Sequence, residues 1–296
     1  MSTTISSILK IKQTGKATQH ELFAIPCFMG IEVELEGMTS LPESVKLWSI
    51  KSDGSLRNNG VEFVSVKPLA GKELVQAIDE FREIISVFPS SSSHRCSVHC
   101  HIDFSKNTVE ETRKFYKLYT LLEPSLYTVS SKTRYHNIYC PGLTHATEQI
   151  RLAALALYSD ESFAVEAKRC NKYSGINLAS LNTFGTIEIR THSGTRDANE
   201  ILEWCRILNC VKAAALSLPE EVIDDLRSPE GVLQAVYSSY PDLLTTMGSE
   251  NLYRYWKSAQ LNLDYFNAIH NYLRMYAPLR SEDRKFDREL FLRAIG

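Results

Sequence analysis

Gly30-Ile31-Glu32-Val33-Glu34-Leu35-Glu36 decides how this chain is read. Apolar Ile31, Val33 and Leu35 alternate with Glu32, Glu34 and Glu36, a period of two that buries one face of a strand and leaves a row of carboxylates on the other. Residues two apart on a strand project from one face about 7 Å apart, so Glu32 and Glu34 suit hard cations that share ligands. The plainer reading is a solvated outer face, which a single antiparallel strand normally shows. Repetition of the pattern elsewhere decides between them.

The pattern recurs three times. In Val98-His99-Cys100-His101-Ile102-Asp103 both histidines and the aspartate share a face, and imidazole ligates metals or contacts phosphate as readily as it fills a core. In Val61-Glu62-Phe63-Val64-Ser65 the only acid of an apolar run is Glu62. In Thr186-Ile187-Glu188-Ile189-Arg190-Thr191-His192, alternation puts Thr186, Glu188, Arg190 and His192 together, where an acid beside an arginine could equally be a cross-strand ion pair with no chemistry. With the strands side by side, Glu32, Glu34, Glu62, His99, His101, Glu188 and Arg190 line one sheet face. That inventory fits Mg²⁺ or Mn²⁺ holding a nucleotide triphosphate, with arginine neutralising phosphate charge.

Outward from these strands, further strand candidates are Lys46 to Ile50 and Gly175 to Ala179, and helical patterns lie between. Lys72 to Phe88 carries Leu74, Ala77, Ile78, Phe81, Ile84 and Ile85 at helical spacing and should lie on the sheet. Thr108 with Glu111 forms a capping box for a helix running toward Pro124. Thr144 to Tyr158 reads as another helix, and Asp197 caps a largely buried one that ends near Pro219. Beyond Pro219 the pattern is all short helices, at Leu233 to Tyr237, Leu252 to Trp256 and Phe266 to Met275, then a mixed-charge tail from Arg280. The expected map is an irregular lead-in over 1–27, a sheet-containing catalytic domain over 28–217 and a helical appendix over 218–296.

Composition narrows the classes. The 296 residues carry 33 Lys plus Arg against 35 Asp plus Glu, 44% hydrophobic residues and a net charge of -2. That is a globular balance with no global field for nucleic acid or an anionic membrane. No apolar run reaches bilayer-spanning length and the opening residues lack a signal-peptide pattern, so a cytoplasmic location is expected. The seven cysteines are scattered with no CxxC pair, as suits reduced thiols. Phosphate-loop, GxGxxG, GxSxG and HExxH motifs are missing, which removes the commonest nucleotide, serine-hydrolase and zinc-protease readings. A thiol dyad of Cys100 with His99 fails because strand neighbours point to opposite faces.

The short motifs Gly30-Ile31-Glu32-Val33-Glu34, Asp53-Gly54-Ser55, Val61-Glu62-Phe63-Val64-Ser65, His99-Cys100-His101-Ile102-Asp103, Tyr173-Ser174-Gly175-Ile176-Asn177-Leu178 and Gly185-Thr186-Ile187-Glu188-Ile189-Arg190, closing at Gly194-Thr195, follow in order over residues 28–210. In that order they resemble the amidoligases, relatives of glutamate-cysteine ligase and glutamine synthetase in the carboxylate-amine ligase superfamily. The resemblance implies an α+β fold, a curved, mostly antiparallel sheet with helices on its outer face, like the glutamine synthetase catalytic fold. It implies an ATP-dependent ligase that activates a carboxylate as an acyl phosphate and joins it to an amine with Mg²⁺ or Mn²⁺.

Residue by residue, it implies that Glu32, Glu34, Glu62, His101 and Glu188 hold metal. Arg190, His99, His101, Ser55 and Asn177 would contact the nucleotide, and Arg190, Asp53 and Glu62 would serve catalysis, Asp53 by accepting the amine proton. The partners implied are a carboxylate substrate, glutamyl or peptide, and an amine acceptor, with no membrane and no nucleic acid; the oligomeric state stays open. The family is frequent in phage and bacteria, so a phage-encoded enzyme acting in the host cytoplasm is expected. Two features depart from the pattern: Cys100 stands where a small aliphatic residue is expected, and the region after Pro219 matches nothing in it. Two rival readings are a metal-dependent hydrolase with His99, His101 and Asp103 as ligands and a non-catalytic relative that serves as an interaction protein.

Overall fold

The computed structural model describes residues 3–130, 134, 137–237 and 249–276. Six strands, β1 (Met29–Leu35), β2 (Trp48–Ser52), β3 (Val61–Ser65), β4 (Ser97–Asp103), β5 (Ile176–Asn177) and β6 (Thr186–Ser193), form one sheet in the order β2-β3-β1-β4-β6-β5. Every neighbouring pair is antiparallel. The alternating texts behave as their period requires: Ile31, Val33, Leu35, Phe63, Val98, Cys100, Ile102, Ile187 and Ile189 are buried in one core. The acids and histidines between them take the other face.

One expectation fails on this sheet. The β4–β6 pairing shifts register between Val98 and Cys100, so Cys100 faces Ile189 but Val98 faces His192. The extra residue on β6 reverses the alternation beyond Arg190. His192 therefore leaves the polar row and packs in the core, with its ring 5.2 Å from that of Trp204.

The helices are α1 (Ile5–Leu9), α2 (Lys72–Val87), α3 (Val109–Ser130), α4 (Thr147–Ala156), α5 (Asp160–Glu166), α6 (Leu181–Phe184), α7 (Ala198–Ser217), α8 (Glu220–Asp224), α9 (Pro229–Tyr237) and α10 (Ser249–Tyr276). α2 packs on α7 and α7 on α3, with α7 against β4 and α3 against β6. The apolar stripe of α2 seats Phe81 between Trp48 and Phe63, at ring distances of 5.7 and 5.4 Å, and the Trp48 indole donates to Ala77 O. Each such buried aromatic contributes about 1.5–3 kcal/mol from apolar burial. Beyond this layer, α10 packs on α3 and α4.

The capping box forms as the sequence reads: Glu111 N donates to Thr108 Oγ1 at 3.1 Å and Thr108 N to Glu111 Oε2 at 2.9 Å. The helix it starts does not stop at Pro124 but runs on to Ser130. Leu121, Leu122 and Leu126 are fully buried around the proline, and their packing outweighs the one ladder bond a proline removes. The helix expected over Thr144 to Tyr158 divides into a 3₁₀ turn at Leu143–His145 and α4. Leu252 to Trp256 and Phe266 to Met275 are not separate helices but parts of α10, because the residues between them hold no Gly or Pro. The lead-in contains α1 and is tied to the core, where Ile25 N donates to Asn209 Oδ1 at 3.1 Å. The tail from Arg280 lies outside the described residues. Among the described residues no helix is long and apolar enough to cross a membrane.

Candidate active site

Antiparallel register assembles the polar face. Glu32 on β1 stands opposite His99 on β4, His101 opposite Glu188 on β6, and Asn177 on β5 opposite Glu188. On the other side of β1, Glu34 stands opposite Glu62 on β3. The groups sort into two clusters in which the potential ligand atoms lie within 4.8 Å of one another: Glu32, His99 and Glu188, and Glu34, Asp53 and Glu62.

The first cluster is closely bonded. His99 Nδ1 lies 3.1 Å from Glu32 Oε2 and 3.5 Å from Glu188 Oε1, and His101 Nε2 lies 3.4 Å from Glu32 Oε1. His101 Nδ1 meets Thr186 Oγ1 at 3.0 Å. Burial alone would raise Glu32, but hydrogen bonds with His101 and His99 outweigh it and hold the carboxyl far below its ordinary range. Glu188 is lowered in the same way, its burial outweighed by His99, Arg190, His101 and Asn177. Burial pulls the other way on His101, yet Glu32 and Glu188 raise it on balance. Opposite charges thus set this half of the site.

The second cluster holds three acids. Burial pushes Glu62 up to about 7, with Glu32, Glu34 and Asp53 adding to the rise and Lys51 opposing it. Asp53 lies on the β2–β3 loop, where its Oδ1 accepts from Ser55 N at 2.7 Å. Glu36, the third acid of the β1 row, belongs to neither cluster: its Oε1 accepts from Arg57 N at 2.9 Å and so anchors the loop that carries Asp53.

Several sequence-predicted residues meet protein partners. Arg190 pairs with Glu188 of its own strand, and its buried Nε has no hydrogen-bond partner. Asn177 is committed at both ends of its amide, donating to Glu188 Oε2 at 2.6 Å and accepting from Ala179 N at 2.8 Å. It orients Glu188. Ser55 supplies its backbone N–H to Asp53 and its carbonyl to Arg95. Asp103 shares the histidine face but does not converge with the histidines: its Oδ2 accepts from Thr14 Oγ1 at 2.5 Å and its Oδ1 from Ser105 N at 2.9 Å. A His99–His101–Asp103 ligand set is therefore not assembled here.

Two residues were not anticipated. Ser97 bonds both Glu34 and His99, and its place two residues before His99 on a strand was a readable signal. Phe184 presents its ring edge-on to His101 at 5.9 Å, which nothing in the local text announces.

The donor set suits divalent cations: oxygen and imidazole ligands gather in two groups, and three neighbouring carboxylates call for positive charge. The second guanidinium edge of Arg190, with its orphaned Nε, adds an anion-seeking group beside them. A search of curated proteins returned no match. A family model described as "putative amidoligase enzyme" matches residues 39–211, a span that includes Asp53, Glu62, both histidines, Asn177, Glu188 and Arg190 and begins just after β1. The matched span exceeds half of the chain, and the protein belongs to the amidoligase family.

Proposed function

We propose that the protein is an ATP-dependent carboxylate-amine ligase that forms an amide or isopeptide bond by way of an acyl phosphate. Membership in the amidoligase family suggests a ligase-type enzyme. The observation that carries the finer reading is the pair of three-ligand clusters on adjoining strands, with Arg190 beside one of them. In this reading Glu32, His99 and Glu188 hold one Mg²⁺ or Mn²⁺, with His101 bracing Glu32, and Glu34 and Glu62 hold another beside Asp53. Such cations supply charge neutralisation for the oxygens of a transferring phosphoryl group.

The chemistry asks specific things of the chain. A carboxylate resists attack by an amine, so its oxygen must first take the γ-phosphoryl of ATP, releasing ADP. The amine nitrogen then forms the C–N bond, the C–O bond breaks, inorganic phosphate leaves and the amine loses a proton. Arg190 would meet the developing phosphoryl charge through its free guanidinium edge. Asp53, the one acid of its cluster on a loop rather than a strand, would accept the proton. A glutamine-synthetase-like curvature of the sheet and a glutamyl or peptide carboxylate belong to the same reading.

The test is product analysis after incubation with ATP, Mg²⁺ and mixtures of glutamyl or peptide carboxylates with amines. The expected products are ADP, phosphate and one amide in equal amounts. AMP with pyrophosphate would assign the protein to adenylating chemistry instead.

A further inference from the structure

Ser97 lies at the joint between the two clusters. It is buried, with 4% of its surface exposed, and its backbone N–H donates to Glu34 Oε2 at 2.8 Å. Its hydroxyl meets the same Oε2 at 2.5 Å and His99 Nε2 at 2.8 Å. A serine hydroxyl has one proton to give. If that proton went to His99, Oγ and Oε2 would face each other lone pair to lone pair at 2.5 Å, inside their contact distance. The proton therefore goes to Glu34, and Oγ can only accept from the ring. Nε2 then carries a hydrogen, and the proton on Nδ1, which bonds Glu32 at 3.1 Å in the metal-free protein, is the one a cation would displace. It is Nδ1 that points between Glu32 and Glu188.

We propose that Ser97 is a positioning residue that spends its own proton on Glu34, takes the Nε2 proton of His99, and so presents Nδ1 to a divalent cation shared with Glu32 and Glu188. This rests on the cation-binding reading above and adds to it the group that orients the ligand, the role that partners of metal-bound histidines commonly play. The chain Glu34–Ser97–His99 also ties an acid of one cluster to the imidazole of the other, so the second cluster helps aim a ligand of the first.

Three forms of the full-length protein separate the possibilities: wild type, Ser97→Ala and Ser97→Thr. Nitrogen-15 spectra of the proteins with saturating Mg²⁺ report which ring nitrogen of His99 carries the proton once the cation is bound. The expectation is Nε2–H in wild type and Ser97→Thr, and loss of that preference in Ser97→Ala. Mn²⁺ titration followed by electron paramagnetic resonance should show affinity falling by about 10- to 100-fold in Ser97→Ala and returning in Ser97→Thr. Circular dichroism of each variant checks the fold. Wild type with its proton on Nδ1 overturns the proposal, and so does Ser97→Ala with wild-type Mn²⁺ affinity. Wild type that binds no Mn²⁺ yet keeps the proton on Nε2 overturns the cation reading and the proposed ligand role, while the hydrogen-bond assignment is upheld.

Discussion

Glu34 and Glu62 stand directly opposite each other on neighbouring antiparallel strands, like charge facing like charge. Such a pair opposes the ladder that carries it unless a proton or a cation intervenes. Its consequences are measurable at both ends of that choice.

In the metal-free protein the proton should intervene. Glu62 is raised to about 7 in the fold, against an ordinary carboxylate value of 4.5. A group raised on folding contributes stability that is full below the unfolded value and is lost as pH rises through the folded one. Wild-type thermal stability should thus decline between about pH 4.5 and 7 relative to Glu62→Gln. Parallel stability curves for the two proteins across that window would sink the assignment.

With a cation present the balance reverses. Glu34→Gln keeps side-chain volume and an acceptor for Ser97 but removes a charge from the acid cluster. Mg²⁺-dependent ATP binding, followed by calorimetric titration, should fall to background while circular dichroism stays unchanged. Wild-type affinity in this variant removes Glu34 from the ligand set.

Arg190 has two readings that one substitution separates. As a phosphoryl clamp, Arg190→Lys keeps the charge and loses the planar fork, and kcat should drop by about 10² or more with a smaller change in KM for ATP. As a partner of Glu188 only, the same change should lower the thermal midpoint slightly and leave turnover intact. Phosphate release and thermal melting on one preparation discriminate between them.

Away from the site, Glu220 meets Arg113 at 2.7 Å and Lys117 at 2.6 Å. Burial would raise it, but the hydrogen bonds of Arg113 and Lys117 prevail and hold it at about 2. A lowered carboxyl stabilises above its unfolded value and loses that contribution as pH falls through the folded one. Glu220→Gln should cost about 2 kcal/mol at pH 7, because Arg113 loses its acid while Lys117 keeps Asp224 at 2.8 Å, and less as pH falls from 4.5 toward 2. Urea denaturation at pH 7 and pH 3 checks both the cost and its decline.

What the sequence discloses is what is local and periodic. Alternation marked the acids of β1 and the histidines of β4, and the Thr108–Glu111 box marked the start of α3, because each signal lies within a few residues of its effect. Strand order is a long-range property, so the text could not say that Glu32 would face His99 rather than Val64 alone. The irregular register opposite Val98 and Cys100 is invisible to any rule of two, and it carried His192 out of the row in which alternation placed it. Pro124 misled because burial of neighbouring leucines decided against the local breaker. Asn177 was legible as a polar strand residue, but its commitment to Glu188 depends on β5 pairing beside β6.

The strand order has a practical edge. β1 sits between β3 and β4, yet it precedes the first residue of the family match at 39. A fragment trimmed to that span would lose Glu32 and Glu34 and would also open the sheet down its middle, leaving β3 and β4 each with a border of unpaired backbone N–H and C=O groups. Such borders recruit strands from other chains. The expected fate of the trimmed fragment is aggregation rather than a weakened enzyme, so that fragment cannot serve as the negative control for this site.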